Sequence, residues 1–210
     1  MRLYHHPLSG SSRRVWLTAV HLDIDLELHT VDLAAGQQQS PEFLSINPNG
    51  VVPVLVDGDF TLTESRAIMQ YLADSVAEQT LYPRDPRARA DVNRWLFWCA
   101  QHFSPAIGIL TWENFIKPMI GFGAPEPVEI VRGEALITQH AAVLDAHLRE
   151  REWISGDGLT LADFALGGTL MHAESAKIAL ARYPAIQDWR TRVQALPAWL
   201  HTTVNMKMGA

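Results

Sequence analysis

The chain of 210 residues has a single cysteine, Cys99. That excludes an intrachain disulfide and a C-x-x-C dithiol site, and points to a reducing, cytoplasmic setting. No stretch approaches the roughly 20 consecutive apolar residues a membrane-spanning helix needs. The opening MRLYHHPLSGSSRR is interrupted by His, Pro and Gly and has no signal-peptide apolar core. Positive charge is not in excess: 17 Lys and Arg against 23 Asp and Glu give a net charge of -6, which argues against general nucleic-acid binding. Repeats and low-complexity tracts are missing too, AGQQQS (35–40) being a short polar loop. With 48% hydrophobic and 19% charged residues, the sequence has the composition of an ordinary globular protein, long enough for one large domain or two small ones.

The pattern changes near residue 80. Before it, 2–5 and 26–31 read as strands, and apolar Val15, Trp16, Ala19, Val20 and Leu22 recur at helical spacing between them. Strand, helix, strand in about 30 residues is a βαβ unit. Two short strands follow at 54–56 and 60–62, joined by Asp-Gly, a strong hairpin signal. A helix at 64–74 completes an α/β domain expected at 1–76. The proline-bearing stretch AEQTLYPRDPRAR (77–89) contains the expected linker, 77–87. Beyond it no strand pair is evident, and 88–210 reads as an all-helical domain. Its signals include Val92, Trp95, Leu96, Cys99 and Phe103 on one helix. Thr160 and Asp163 form a capping-box pattern ahead of a helix containing Gly167 and Gly168. Two glycines inside a helix cost about 1 kcal/mol each, so a closely packed neighbour is expected there.

Three stretches of the first domain carry chemistry. LYHHPLSGSSRRVWL places three serines in one turn before a helix, more hydroxyls than a plain loop needs. INPNGVVPVL (46–55) sets Pro53 at a strand start, where a proline can be an ordinary trans residue or a cis one that exposes the Val52 backbone to a ligand. TESRAI (63–68) sets Glu64 and Ser65 at a helix start. One reading is capping by Thr63, with Glu64 favourably placed on the helix dipole. The other is a clamp for an α-amino acid, in which Ser65 and free N–H groups take a carboxylate and Glu64 takes an ammonium.

PEFLSINPNGVVPVLVDGDFTLTESRAIMQYLAD (41–74) closely resembles the glutathione-binding domain of the cytosolic glutathione transferases, and GLTLADFAL (158–166) resembles that family's helical-domain capping motif. The combination N-P-x-G, Val-Pro, E-S-R-A-I and T-x-x-D is specific, and the likeness covers essentially the whole chain, nearest to serine-type, theta/delta-like bacterial members. It implies a thioredoxin-like domain followed by an all-α domain, and a homodimer acting in detoxification. Glutathione would be the co-substrate, with no metal or further cofactor. Pro53 would be cis and Val52 would bind the cysteinyl backbone. Glu64, Ser65 and Arg66 would hold the γ-glutamyl end and Gln38 the glycyl end. The electrophile would lie between the domains against Leu8, His102, Ile109, Trp112 and Phe115.

In serine-type members the catalytic hydroxyl sits a few residues before an Arg-Val pair. Counting back from Arg14-Val15, Ser9 is the first candidate and Ser11 the second, with Ser12 expected as the helix N-cap. Tyr4 is expected to pack in or beside the core. A thiol with a pKa of about 8.5 is mostly protonated at neutral pH, and a hydroxyl donating to the sulfur favours the anion. Two sequence departures stand out. Val51 replaces the lysine many relatives carry after N-P-x-G, and the turn lacks a cysteine, unlike mixed-disulfide members and the S-S-C-S pattern of the maleylacetoacetate isomerase branch. Cys99 reads as a small buried hydrophobe. The implied activity is activation of glutathione for attack on hydrophobic electrophiles. The alternatives are a glutathione-dependent isomerase, dehalogenase or peroxidase on the same scaffold, or a non-catalytic dimeric regulator.

Overall fold

The computed structural model describes residues 1–203. The opening βαβ unit forms as the apolar spacing requires: β1 (Arg2–His5), α1 (Gly10–His21) and β2 (Glu27–Thr30). α2 (Pro41–Ile46) leads to the hairpin β3 (Val54–Asp57) and β4 (Phe60–Leu62), and α3 (Ser65–Asp74) follows. The sheet order is β2-β1-β3-β4. β1 runs parallel to β2, pairing Leu3 with Leu28, and antiparallel to β3, pairing Leu3 with Leu55. This is the thioredoxin-like arrangement. Leu3, Val15, Leu17, Leu55, Ile68, Met69 and Leu72 are fully buried between sheet and helices, and α1 packs on α3. On another part of the unit Val31, Phe43 and Val54 form a second cluster, against which Tyr4, Val52 and Ile46 rest. Tyr4 sits edge-on to Phe43, 6.2 Å between ring centres, beside the core as expected.

The second unit spans Thr80–Val193. Its first helix runs from α4 (Pro86–Trp98) through a π-helical segment (Cys99–Phe103) into α5 (Ser104–Thr111), then through a second π segment (Trp112–Ile116) into α6 (Lys117–Met119). α7 (Pro127–Leu148) and α8 (Leu161–Thr169) follow. α8 is buried from Leu161 to Gly168 and packs on α4 and α5. The closest glycine-mediated crossing described lies elsewhere, at Gly133 of α7, where a Cβ would stand 2.9 Å from Leu110 Cδ2 and 3.0 Å from Ile109 Cγ2.

Asp163 organises this unit. Its carboxylate accepts from Thr160 N at 2.8 Å and Thr160 Oγ1 at 3.0 Å, closing the expected capping box, and from Ile154 N at 3.0 Å and Trp189 Nε1 at 2.8 Å. Complete burial still outweighs these bonds and pushes its pKa up to about 6.

α9 (Pro184–Ala195) is followed by α10 (Pro197–His201), which packs on α1. By backbone contacts, Gln194 to Thr203 group with Met1–Gln79. Of the helical domain expected at 88–210, residues 204–210 lie outside the described residues. Among the described residues no helix is long and apolar enough to cross a membrane.

Candidate functional site

The opening turn is knitted by its own polar groups. Ser9 N donates to His6 O at 2.9 Å, Leu8 N to His6 Nδ1 at 3.2 Å, and His6 N to Ser12 Oγ at 3.3 Å. Burial holds His6 below the ordinary imidazole range, against the opposing pull of Asp32. The N-cap of α1 is Ser9, not Ser12: Ser9 has extended backbone angles, φ -84° and ψ 115°, and its Oγ accepts from Ser12 N at 3.1 Å. Ser12 lies inside the first turn and is buried. A hydroxyl has one proton and two lone pairs, so a capping serine that accepts through one lone pair keeps its proton to donate. Ser9 and Ser11 are both half-buried.

The second stretch is held by Asn47, a buried residue that sequence reading quoted within N-P-x-G without giving it a role. Its Nδ2 donates to Val51 O at 2.7 Å and its Oδ1 accepts from Asn49 N at 3.1 Å. Gly50 takes φ +61°, and a Cβ there would stand 3.2 Å from Gln38 O. Gly50 therefore lets the 37–39 turn lie against this loop. Gln38 Oε1 is buried with no hydrogen-bond partner among the described residues, although buried polar atoms are ordinarily bonded. The Val52–Pro53 bond is cis. Pro53 is buried, Val52 half-buried, and Val51, where many relatives carry lysine, is exposed.

In the third stretch Thr63 does not cap α3. Glu64 occupies the cap position with φ 65° and ψ 103°, and makes no side-chain capping bond. A positive φ costs a non-glycine residue about 1–3 kcal/mol and persists only where the surroundings impose it, commonly at ligand clamps. Its consequence here is a Glu64 carboxylate left exposed beside Ser65, the first residue of the helix. Arg66 is half-buried. Ser65 is linked back to the opening helix: Arg14 Nη1 donates to its Oγ at 3.3 Å. Sequence reading missed this contact, because 51 residues separate the two.

The residues expected to meet an electrophile each have a described neighbour. Leu8 belongs to the opening turn. In the helical unit His102 is exposed and faces His140 of α7 at 5.5 Å between ring centres, and Ile109 meets α7 at Gly133. Phe115 lies 4.9 Å from His172, and Trp112 lies 5.8 Å from Phe122. Cys99 is buried as expected, but beside two hydroxyls, Ser104 Oγ at 3.4 Å and Thr169 Oγ1 at 3.5 Å.

Comparison with known proteins places this geometry. Residues 1–74 match the model of the glutathione S-transferase N-terminal domain, and residues 125–197 that of the C-terminal domain. Human glutathione S-transferase theta-2B is 39% identical over 200 residues, covering 93% of this chain and 81% of that protein. A delta-class glutathione transferase structure from Nilaparvata lugens superimposes with a TM-score of 0.84 at 32% identity, covering 96% of this chain and 92% of the other. The structure of a glutathione S-transferase-I bound with lactoylglutathione superimposes with a TM-score of 0.86 at 26% identity, covering 96% and 97%.

Proposed function

This chain belongs to the glutathione S-transferase family, and from that premise we propose that it conjugates glutathione to hydrophobic electrophiles through a thiolate stabilised by Ser9. The observation that carries the reading is the N-cap geometry of Ser9. Its oxygen is committed to the Ser12 N–H at 3.1 Å, and its proton is left for an anion at the start of α1. Lowering a thiol pKa by two units requires about 2.7 kcal/mol. One hydrogen bond to a charged group contributes about 1.5–3 kcal/mol, and the helix N-terminus adds about 0.3–1 kcal/mol. These suffice without a general base. The serine keeps its proton throughout. The sulfur's electron pair forms the new S–C bond, and the leaving group departs with its own pair.

In this reading Val52 presents its backbone to the cysteinyl unit beside Pro53. Glu64, Ser65 and Arg66 hold the γ-glutamyl end, Glu64 taking the ammonium that its exposed carboxylate suits. Gln38 takes the glycyl end, where a ligand N–H would satisfy its buried oxygen. Ser11 is the reserve donor. Leu8, His102, Ile109, Trp112 and Phe115 remain the proposed electrophile contacts. The reading extends to a cytoplasmic homodimer acting in detoxification, with glutathione as co-substrate.

Titration with glutathione, followed by ultraviolet absorbance of the thiolate, tests binding and activation together. A thiolate signal at pH 7 that vanishes in Ser9→Ala is expected. A signal that survives there and vanishes in Ser11→Ala moves the role to Ser11.

A further inference from the structure

In the sequence Arg14 is only a landmark from which Ser9 is counted. In the fold it is a buried cation, 3% exposed, on the same helix as Ser9, and its Nη1 reaches Ser65 Oγ at 3.3 Å. Ser65 is itself 6% exposed and opens α3. Resting on the assignment of Glu64 and Ser65 to the γ-glutamyl end, we propose that Arg14 is a positioning residue that makes this end of the site selective for a ligand α-carboxylate.

The argument runs through the serine hydroxyl. With one lone pair filled by a guanidinium N–H, the Ser65 proton cannot point toward Arg14 and turns to an acceptor on the other side. An acceptor approaching the start of α3 then meets this proton and the helix's first free N–H groups together. Arg14 thereby fixes which way the Ser65 hydroxyl points. Glu64, exposed next door, suits an ammonium on the same carbon. A zwitterionic amino-acid head matches this pair; a neutral or purely cationic head does not. Recognition of the head therefore falls to Ser65, oriented by Arg14, together with Glu64 and Arg66.

The test compares glutathione with 4-aminobutyryl-cysteinyl-glycine, the same thiol without the α-carboxylate, as a ratio of kcat/KM. The folded wild type is expected to prefer glutathione by at least about 10²-fold, since a site built to bond a polar group rejects a ligand lacking it. Absence of that preference overturns the glutamyl assignment of Glu64 and Ser65 itself. Given the preference, Arg14→Gln is expected to lower the ratio about ten-fold, mainly by raising KM for glutathione. Ser65→Ala should lower it as well, and the double variant should fall no further than Ser65→Ala alone, because Arg14 acts through that hydroxyl. Arg14→Lys keeps the charge without the planar fork. It should lose about three-fold in the ratio, and it serves as the test if the glutamine variant does not fold. A folded Arg14 variant that slows both thiols equally, leaving the ratio unchanged, overturns the proposal and marks Arg14 as a packing residue.

Discussion

Arg13 lies over the indole of Trp199, its guanidinium carbon 4.0 Å from the ring centre, and its Nη2 donates to Trp199 O at 3.2 Å and to Thr203 Oγ1 at 3.1 Å. The neighbouring arginines of α1 thus point to different tasks: Arg13 fastens α10 to the helix, and Arg14 reaches Ser65. Trp199 is 6% exposed. Trp199→Ala should cost about 3–5 kcal/mol of stability, as large aromatic truncations in cores do. Arg13→Ala should cost about 1–3 kcal/mol, from the lost cation–π contact and the two guanidinium hydrogen bonds, although Trp199 O keeps the Thr202 and Thr203 hydroxyls. Urea unfolding measures both. An unchanged midpoint in Arg13→Ala would show that the contact holds nothing in place.

Ser9 has two duties that substitution can separate. Alanine removes both the cap and the proton donor, whereas glycine is a tolerated N-cap without a hydroxyl. Ser9→Gly should keep stability within a few tenths of a kcal/mol of wild type, yet lose about 10²-fold in turnover, comparable with losing an oxyanion-hole donor. Paired thermal unfolding and steady-state rates read the two effects. Retained turnover in a stable Ser9→Gly protein would refute the proposed donor role.

Gly50 holds φ +61° with its Cα facing the 37–39 turn. Gly50→Ala forces an L side chain into a disfavoured region and against Gln38 O. The expected cost is about 1–3 kcal/mol, together with a raised KM for glutathione as the Gln38 turn is displaced. A variant with normal KM would detach Gln38 from glutathione binding.

Asp163 gives a pH-dependent prediction. Its carboxyl is raised from 3.8 to about 6 by burial. It therefore binds its proton more tightly in the folded chain than in the unfolded one. The resulting stabilisation is complete below about pH 4 and is lost as pH rises through about 6. Asn cannot titrate, so the stability difference between wild type and Asp163→Asn should be larger at pH 4.5 than at pH 7. A difference that widened with rising pH would reverse the assigned sign. At any pH the amide would oppose donors that the carboxylate now accepts, so this variant should be less stable than wild type.

Much of this was legible in the sequence because its signals are local. Asp57-Gly58 marked the hairpin, Thr160 and Asp163 marked the helix start, and the spacing of Val15, Ala19 and Val20 marked α1. The choice of cap was not legible, since Ser9, Ser11 and Ser12 are chemically alike; what separates them is the burial of Ser12 under the His6 N–H. Thr63 looked like a cap because it precedes an acidic residue, but the left-handed backbone at Glu64 shifts the helix start by one residue. The π segments at Cys99–Phe103 and Trp112–Ile116 shift the helical phase, so counting by 3.6 does not tell which side a residue there takes, and sequence spacing gave no sign of them. Arg13 and Trp199 are separated by 186 residues, and no sequence window spans them.

The return of α10 to α1 makes the helical unit an insertion within the first unit. During synthesis the βαβ and hairpin segments leave the ribosome first, but two partners of α1, Trp199 and Thr203, emerge only after the whole helical unit. The first unit therefore begins folding early but is completed only once α10 has been made, so its full stability should arise after the helical unit has been synthesised.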